Sequence, residues 1–361
     1  METAIEEETA IEDPRSTDSW MRLDGPRATW LRRGLLVLFV GVSTMISQYW
    51  VGNSTIYRSA LDQKRELVHQ YLLHNQLPPG VTWESMGTNS TNIRVGAVFL
   101  AEAMHRVLHI SILKAYVLLD TVALFCAMIL LFVYLQRWFE NIYCLVGVMF
   151  FSVVLPLTYM LFFFHPWDRL SLIVWLTALY LVRERRLWLL AVVLVIGMLI
   201  KYDVLLFPGL FFLAYVDRGN WLRTGLITLL LFTVTFGMLK LVVLLRPGGF
   251  DSQVTVAQIV AINLAVLKEQ RLAWPPFLGF SVPIVMAAIG FRSGDRFIQA
   301  SALFGMLLFI PFIFASNMAE FRTEVPILLC LLPAAVLGTK VLLAPASAES
   351  SRSAFLHAYP G

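Results

Sequence analysis

The stretch LWLLAVVLVIGMLIKYDVLLFPGLFFLAYV, residues 187–216, decides the fold. Its only charges are Lys201 and Asp203. A straight helix of this length would run about 45 Å, beyond the roughly 30 Å hydrocarbon core of a bilayer. Two short helices meeting at Lys201-Tyr202-Asp203 fit instead, with Pro208 just past the break. RERR at 183–186 precedes the stretch, and Arg218 and Arg223 follow it. Both ends of the hairpin therefore carry the basic anchors that mark a cytoplasmic face.

Working outward, the same apolar character fills the chain. Of 361 residues, 58% are hydrophobic and 14% charged, and the mean hydropathy is +0.72. Soluble domains run nearer 45–50% apolar and about 25% charged. A core cannot absorb the excess, because surface must be wetted, so lipid is the solvent for most side chains. The apolar runs are Gly34–Trp50, Ser111–Arg137, Ile142–Phe164, Leu170–Val182, the two halves of 187–216, Thr224–Leu245, Pro275–Phe291, Phe297–Ala315 and Pro326–Leu343. These predict an all-α polytopic membrane protein of about ten transmembrane helices at about 20 residues each. Arg27, Arg32 and Arg33 before the first run place the N-terminus inside, and an even span count returns the C-terminus there. Residues 1–33 and 344–361 read as cytoplasmic tails flanking one transmembrane domain, 34–343. The 246–274 segment reads as mixed and external.

Residues 51–110 form a large first extracytoplasmic loop. Ile56, Ala60, Leu61, Leu67, Val68, Tyr71 and Leu72 recur at helical spacing, as do Val95, Val98, Phe99, Val107 and Leu108. Both stretches predict amphipathic helices at the membrane surface. The formal charge of +4 is small and its arginines sit at helix ends, a topology signal rather than a nucleic-acid footprint. Cys126, Cys144 and Cys330 lie in apolar runs without metal or disulfide spacing. His69, His74, His105 and His109 lack an HExxH spacing, so neither a metal nor another cofactor is implied.

The outer face gathers ionisable residues at the ends of apolar helices: Asp168 and Arg169 in HPWDR, Lys201 and Asp203 at the break, Glu320, Arg322 and Glu324 before the last span, and Asp62, Glu66 and Glu84 in the loop. Charge at membrane depth needs a partner, water or a ligand. Simpler roles exist for each. Asp168 can cap the following helix, Lys201 and Asp203 can pair with each other, and EFRTE can be an exposed loop.

Three segments resemble GT-C superfamily membrane glycosyltransferases, in particular the bacterial enzymes that use polyprenyl-phosphate sugars. TNIRVGAVFLAEAMHRVLHI (91–110) is similar to their second surface helix, opened by an arginine. FFFHPWDRLSLIVWLTALYLVRERRLWLLAVVLVIGMLIKYDVLLFPGLFFLAYV (162–216) is similar to their central hairpins, and AEFRTEVPILLCLLPA (319–334) to their closing segment. Such enzymes carry an aspartate soon after the first span. Here VGNSTIYRSALD follows Trp50, so the first acid is Asp62.

The resemblance implies a multi-pass protein of a bacterial inner membrane rather than the endoplasmic reticulum. It implies a polyprenyl-phosphate sugar donor and a glycan or lipid-linked acceptor on the outer face. Inverting transfer needs a carboxylate base and cations for the departing phosphate. The candidate bases are Asp62, then Glu84 and Asp168. The candidate donor-binding residues are Arg94, Arg169, Lys201, Asp203, Glu320 and Arg322. Two other classes fit the same pattern: a non-catalytic partner subunit of a cell-envelope assembly, and a lipid or solute transporter built on broken helices.

Overall fold

A computed structural model describes residues 26–53, 69–77, 94–158, 167–246, 256–268, 270–315 and 324–344. Among these residues there is no strand. In chain order the helices are α1 (Pro26–Asn53), α2 (Val95–Leu108), α3 (Ile112–Leu135), α4 (Asn141–Leu157), α5 (Asp168–Arg183) and α6 (Leu187–Met198). A 3₁₀ turn over Tyr202–Leu206 leads into α7 (Phe207–Tyr215). Then come α8 (Trp221–Leu245), α9 (Val256–Lys268), α10 (Gln270–Phe291), α11 (Arg296–Ala315) and α12 (Val325–Leu343). By length and composition, α3, α8 and α12 can each cross a membrane, and the other apolar helices are shorter. Leu230 and Leu244 on α8 are 63% and 78% exposed. An outer surface of this kind is stable against hydrocarbon and unfavourable in water.

The broken hairpin is where the sequence places it. Helix α6 stops at Met198, Lys201 is extended at φ −157°, and the chain re-enters helix through the 3₁₀ turn with Pro208 in the first turn of α7. Proline at that position forfeits no helical hydrogen bond. Two elements differ from expectation. The 246–274 segment, read as mixed and external, holds α9 and the start of α10. Val256, Ile259, Val260 and Asn263 recur at helical spacing, and Asn263 is buried. Helix α4 closes at Leu157, one residue after Pro156, rather than running to Phe164. Residues 159–166 lie outside the described set. So do residues 54–68, which carry most of the first expected surface helix; residues 69–74 are helical.

The centre of the bundle is α12, buried at every residue from 325 to 336. Its closest neighbour is α10. A Cβ on Gly290 would collide with the carbonyl oxygen of Ala334, and one on Gly338 would lie 2.8 Å from the carbonyl carbon of Met286. Glycine at both positions brings the two backbones into contact, the small-residue packing that joins helices where burial from water supplies no drive.

The loop docks onto the broken hairpin. The break leaves C-terminal carbonyls of α6 without helical partners. The N–H of Gly96, in the first turn of α2, donates to Leu199 O at 2.7 Å. Residue 96 must be small here, since a Cβ would sit 3.0 Å from both Leu199 O and Ile200 Cγ1. Leu72 and Val98 bury against each other, and Arg246 at the end of α8 donates to Leu72 O.

Candidate functional site

Four of the residues singled out by sequence, Arg94, Asp168, Lys201 and Asp203, come together where α2, α5 and the break converge, and Arg169 follows Asp168 in α5. Asp168 lies in the first turn of α5, where the helix dipole favours a negative charge. It is not the cap, a position held by Trp167. Lys201 sits at the break, held by its backbone N–H to Gly197 O at 2.8 Å. Its ammonium lies 3.5 Å from Asp168 Oδ1 and 3.4 Å from Asp203 Oδ2. The second carboxylate also accepts from Trp175 Nε1 at 3.3 Å. Gly197 lets these parts close up, because a Cβ there would lie 2.7 Å from Val174 on α5 and 3.2 Å from Val204 beyond the break.

The two charged residues that open α5 and the two at the break are all buried: Arg169 at 0% exposure, Asp168 at 3%, Lys201 at 5% and Asp203 at 8%. Arg94, the residue that opens α2, is brought by the Gly96 contact over two aromatic neighbours of these charges in the chain. Its guanidinium lies 5.0 Å from the Trp167 ring centre and 4.7 Å from that of Tyr202. Each such contact contributes about 0.5–2 kcal/mol and fixes a cation without neutralising it. Among the described residues, two cations, Arg94 and Lys201, thus lie close to the carboxylates of Asp168 and Asp203, with Arg169 buried next to Asp168 in the chain. A guanidinium held on ring faces keeps its N–H groups for a phosphate oxygen.

Four candidates, Asp62, Glu84, Glu320 and Arg322, lie outside the described residues. Of the acids before the last helix, Glu324 is described and is buried at the mouth of α12. Sequence reading missed the aromatic frame of Trp167, Trp175 and Tyr202. Its trace is there: each aromatic is adjacent to, or one helical face from, a charged residue.

Sequence reading also missed a network in the loop. His69, fully buried, meets Tyr116 Oη through Nδ1 at 2.7 Å and Glu102 Oε2 through Nε2 at 3.1 Å. A carboxylate only accepts, so the neutral ring carries its proton on Nε2 and takes a hydrogen bond from Tyr116 on Nδ1. Arg106 Nε donates to Glu102 Oε1 at 2.6 Å. Burial pushes the His69 pKa down, against the pull of Glu102. The hydrogen bond from His69 and the nearby Arg106 hold Glu102 below the usual carboxylate range. The array ties residues 69–77 to α2 and α3. Among the described residues no group of three His, Cys, Asp or Glu side chains could hold a metal.

The opposite end of α5 has a different character. There Arg137 pairs with Glu184 at 3.5 Å, Arg183 approaches Asp295 at 3.8 Å, and Trp138 Nε1 donates to Asp295 at 2.8 Å. These groups are substantially exposed. A cavity of about 530 Å³ lies at this end, away from the buried cluster. Comparisons with protein-family models, with characterised proteins and with solved structures give no match.

Proposed function

We propose that the chain is a GT-C-type membrane glycosyltransferase of about ten spans, moving a sugar from a polyprenyl-phosphate donor to an acceptor on the extracytoplasmic face. The observation that carries this reading is the meeting of Arg94 with the buried Asp168, Lys201 and Asp203 under the first turn of α2, next to the buried Arg169. An isolated structural ion pair needs one cation and one anion. Here a second cation, Arg94, stands by the buried Lys201 and its two carboxylates, beside a surface helix and a broken membrane hairpin. In the proposed reaction the acceptor hydroxyl gives its proton to Asp168 as its oxygen bonds the anomeric carbon. The bond from that carbon to the phosphate oxygen breaks, and the polyprenyl phosphate leaves with its electron pair, held by Arg94, Arg169 and Lys201. Cations fixed before the reaction stabilise such a leaving group without reorganising.

The test is sugar transfer in proteoliposomes supplied with radiolabelled polyprenyl-phosphate hexoses and crude acceptor lipid. Transfer by the wild type and a loss of about 100-fold or more in Asp168→Asn are expected, the range of general-base catalysis. Consumption of no donor, or full activity in Asp168→Asn, overturns the assignment.

A second reading has its own observation. Both described carboxylates are engaged with Lys201, and Asp203 with Trp175 as well. This favours a non-catalytic subunit that binds the lipid phosphate for a partner. It predicts donor binding without turnover.

A further inference from the structure

We infer that the cavity at the exposed end of α5 binds the phosphate headgroup of an anionic membrane lipid. This site is separate from the buried cluster, and the inference does not depend on glycosyl transfer.

Four arginines line the cavity: Arg183 and Arg185 at the end of α5, Arg223 in the first turn of α8, and Arg296 opening α11. Only two acids line it, Asp217 and Asp295. Both are engaged within the fold. Asp217 accepts from the N–H groups of Gly219 and Asn220 at 2.9 and 3.0 Å and from the Asn220 side chain at 2.7 Å. Asp295 accepts from Trp138 at 2.8 Å and from the Ile298 N–H at 2.8 Å. Arg183 is the arginine that Asp295 approaches. Arg185 lies 4.3 Å over the Tyr215 ring, which orients it and leaves its charge in place. Arg223 and Arg296 are exposed and have no carboxylate partner among the described residues. The net excess of two positive charges suits a phosphate ester.

The surroundings favour a lipid over a soluble phosphate. The floor is apolar, with Phe211, Ile227 and Phe297. Beside the cavity, Trp221 and Leu222 are exposed, and Leu226, Leu229 and Leu230 continue that exposure along α8. Tryptophan favours headgroup depth, and the leucine face offers a track for acyl chains below it. Basic pockets between helix ends recognise acidic headgroups in this way.

The test reconstitutes the full chain in nanodiscs of equal phosphatidylglycerol and phosphatidylcholine and reads retained lipid by native mass spectrometry. Selective retention of phosphatidylglycerol is expected. Arg223→Gln/Arg296→Gln should lower it at least about tenfold, since both charge-assisted contacts to the headgroup are lost. Arg223→Lys/Arg296→Lys, which keeps the charge, should retain most of it. Lys240→Gln, an exposed cation near the other end of α8 and in neither cluster, should behave as wild type. Millimolar glycerol phosphate should not displace the lipid. Equal retention in wild type and the double glutamine variant overturns the inference. So does displacement by glycerol phosphate, which would make the site one for soluble phosphate.

Discussion

Replacing Lys201 with methionine keeps the stem of the side chain and removes the ammonium that two buried carboxylates share. At 3.5 and 3.4 Å, with an effective dielectric constant near 20, each attraction is about 5 kcal/mol. Much of that sum is offset by the desolvation of Lys201 itself, which methionine no longer incurs. Removing one partner of a buried ion pair costs about 3–5 kcal/mol, because the other charge stays buried. Trp175 still donates to Asp203, which places the expectation near the lower figure, about 3 kcal/mol. That corresponds to a rise of roughly 150-fold in the unfolding constant, at 1.4 kcal/mol per factor of ten. The assay is unfolding by sodium dodecyl sulfate in mixed micelles, followed by circular dichroism. The variant Asp168→Asn/Lys201→Met/Asp203→Asn removes every charge of the triad and should recover at least half of the loss. A loss under about 1 kcal/mol for Lys201→Met would place the triad in water, at the strength of surface pairs. A triple variant as unstable as the single one would mean that the loss was one of packing. Either result refutes the reasoning.

Two further outcomes follow from the packing and from the loop. Gly338→Val should destabilise by about 2 kcal/mol or more, since overpacking costs about 1–3 kcal/mol and the new Cβ meets the backbone of α10; Gly237→Ala on α8, where nothing lies within 4 Å, should instead stabilise by a few tenths to about 1 kcal/mol, and the same mixed-micelle titration reads both. Acidification should loosen the loop. The folded pKa of His69 lies below its ordinary 6.5 and that of Glu102 below its ordinary 4.5, so the unfolded loop binds more protons and stability falls with pH. The loss begins as pH drops through the unfolded His69 value and deepens as Glu102 protonates. Repulsion from His105 and His74 is among the causes that hold the His69 value down. Limited proteolysis of residues 51–110 between pH 7.5 and 5 measures the effect, and His69→Phe should flatten the upper part of the curve.

The helical fold was legible because its signal is long. Apolar runs of some twenty residues survive any local uncertainty, and the break at Lys201–Asp203 announces itself by charge inside a run too long for one helix. The α9 region was not legible, because its periodic stretch is short and follows the helix-breaking sequence Pro-Gly-Gly. The ionisable half of the candidate site was readable for a related reason. Charges are so sparse here that Asp168, Arg169, Lys201 and Asp203 stand out against their apolar flanks. What they touch was not readable. Residues 94, 168 and 201 are brought together by Gly96 and Gly197, and nothing local distinguishes a glycine that admits another backbone from one that merely interrupts a helix. The His69–Glu102–Tyr116 array was hidden similarly. Its members are far apart in the chain, and their spacing matches no ligand motif.

The most direct measurement is the affinity of the chain for polyprenyl phosphate in nanodiscs of phosphatidylcholine, for the wild type, Arg94→Gln and Lys240→Gln. Saturable binding is expected, weakened at least about tenfold in Arg94→Gln, the loss of one charge-assisted contact, and unchanged in Lys240→Gln, an exposed cation outside both phosphate sites. No saturable binding, or the same affinity in Arg94→Gln as in the wild type, would contradict a lipid-phosphate site at the buried cluster.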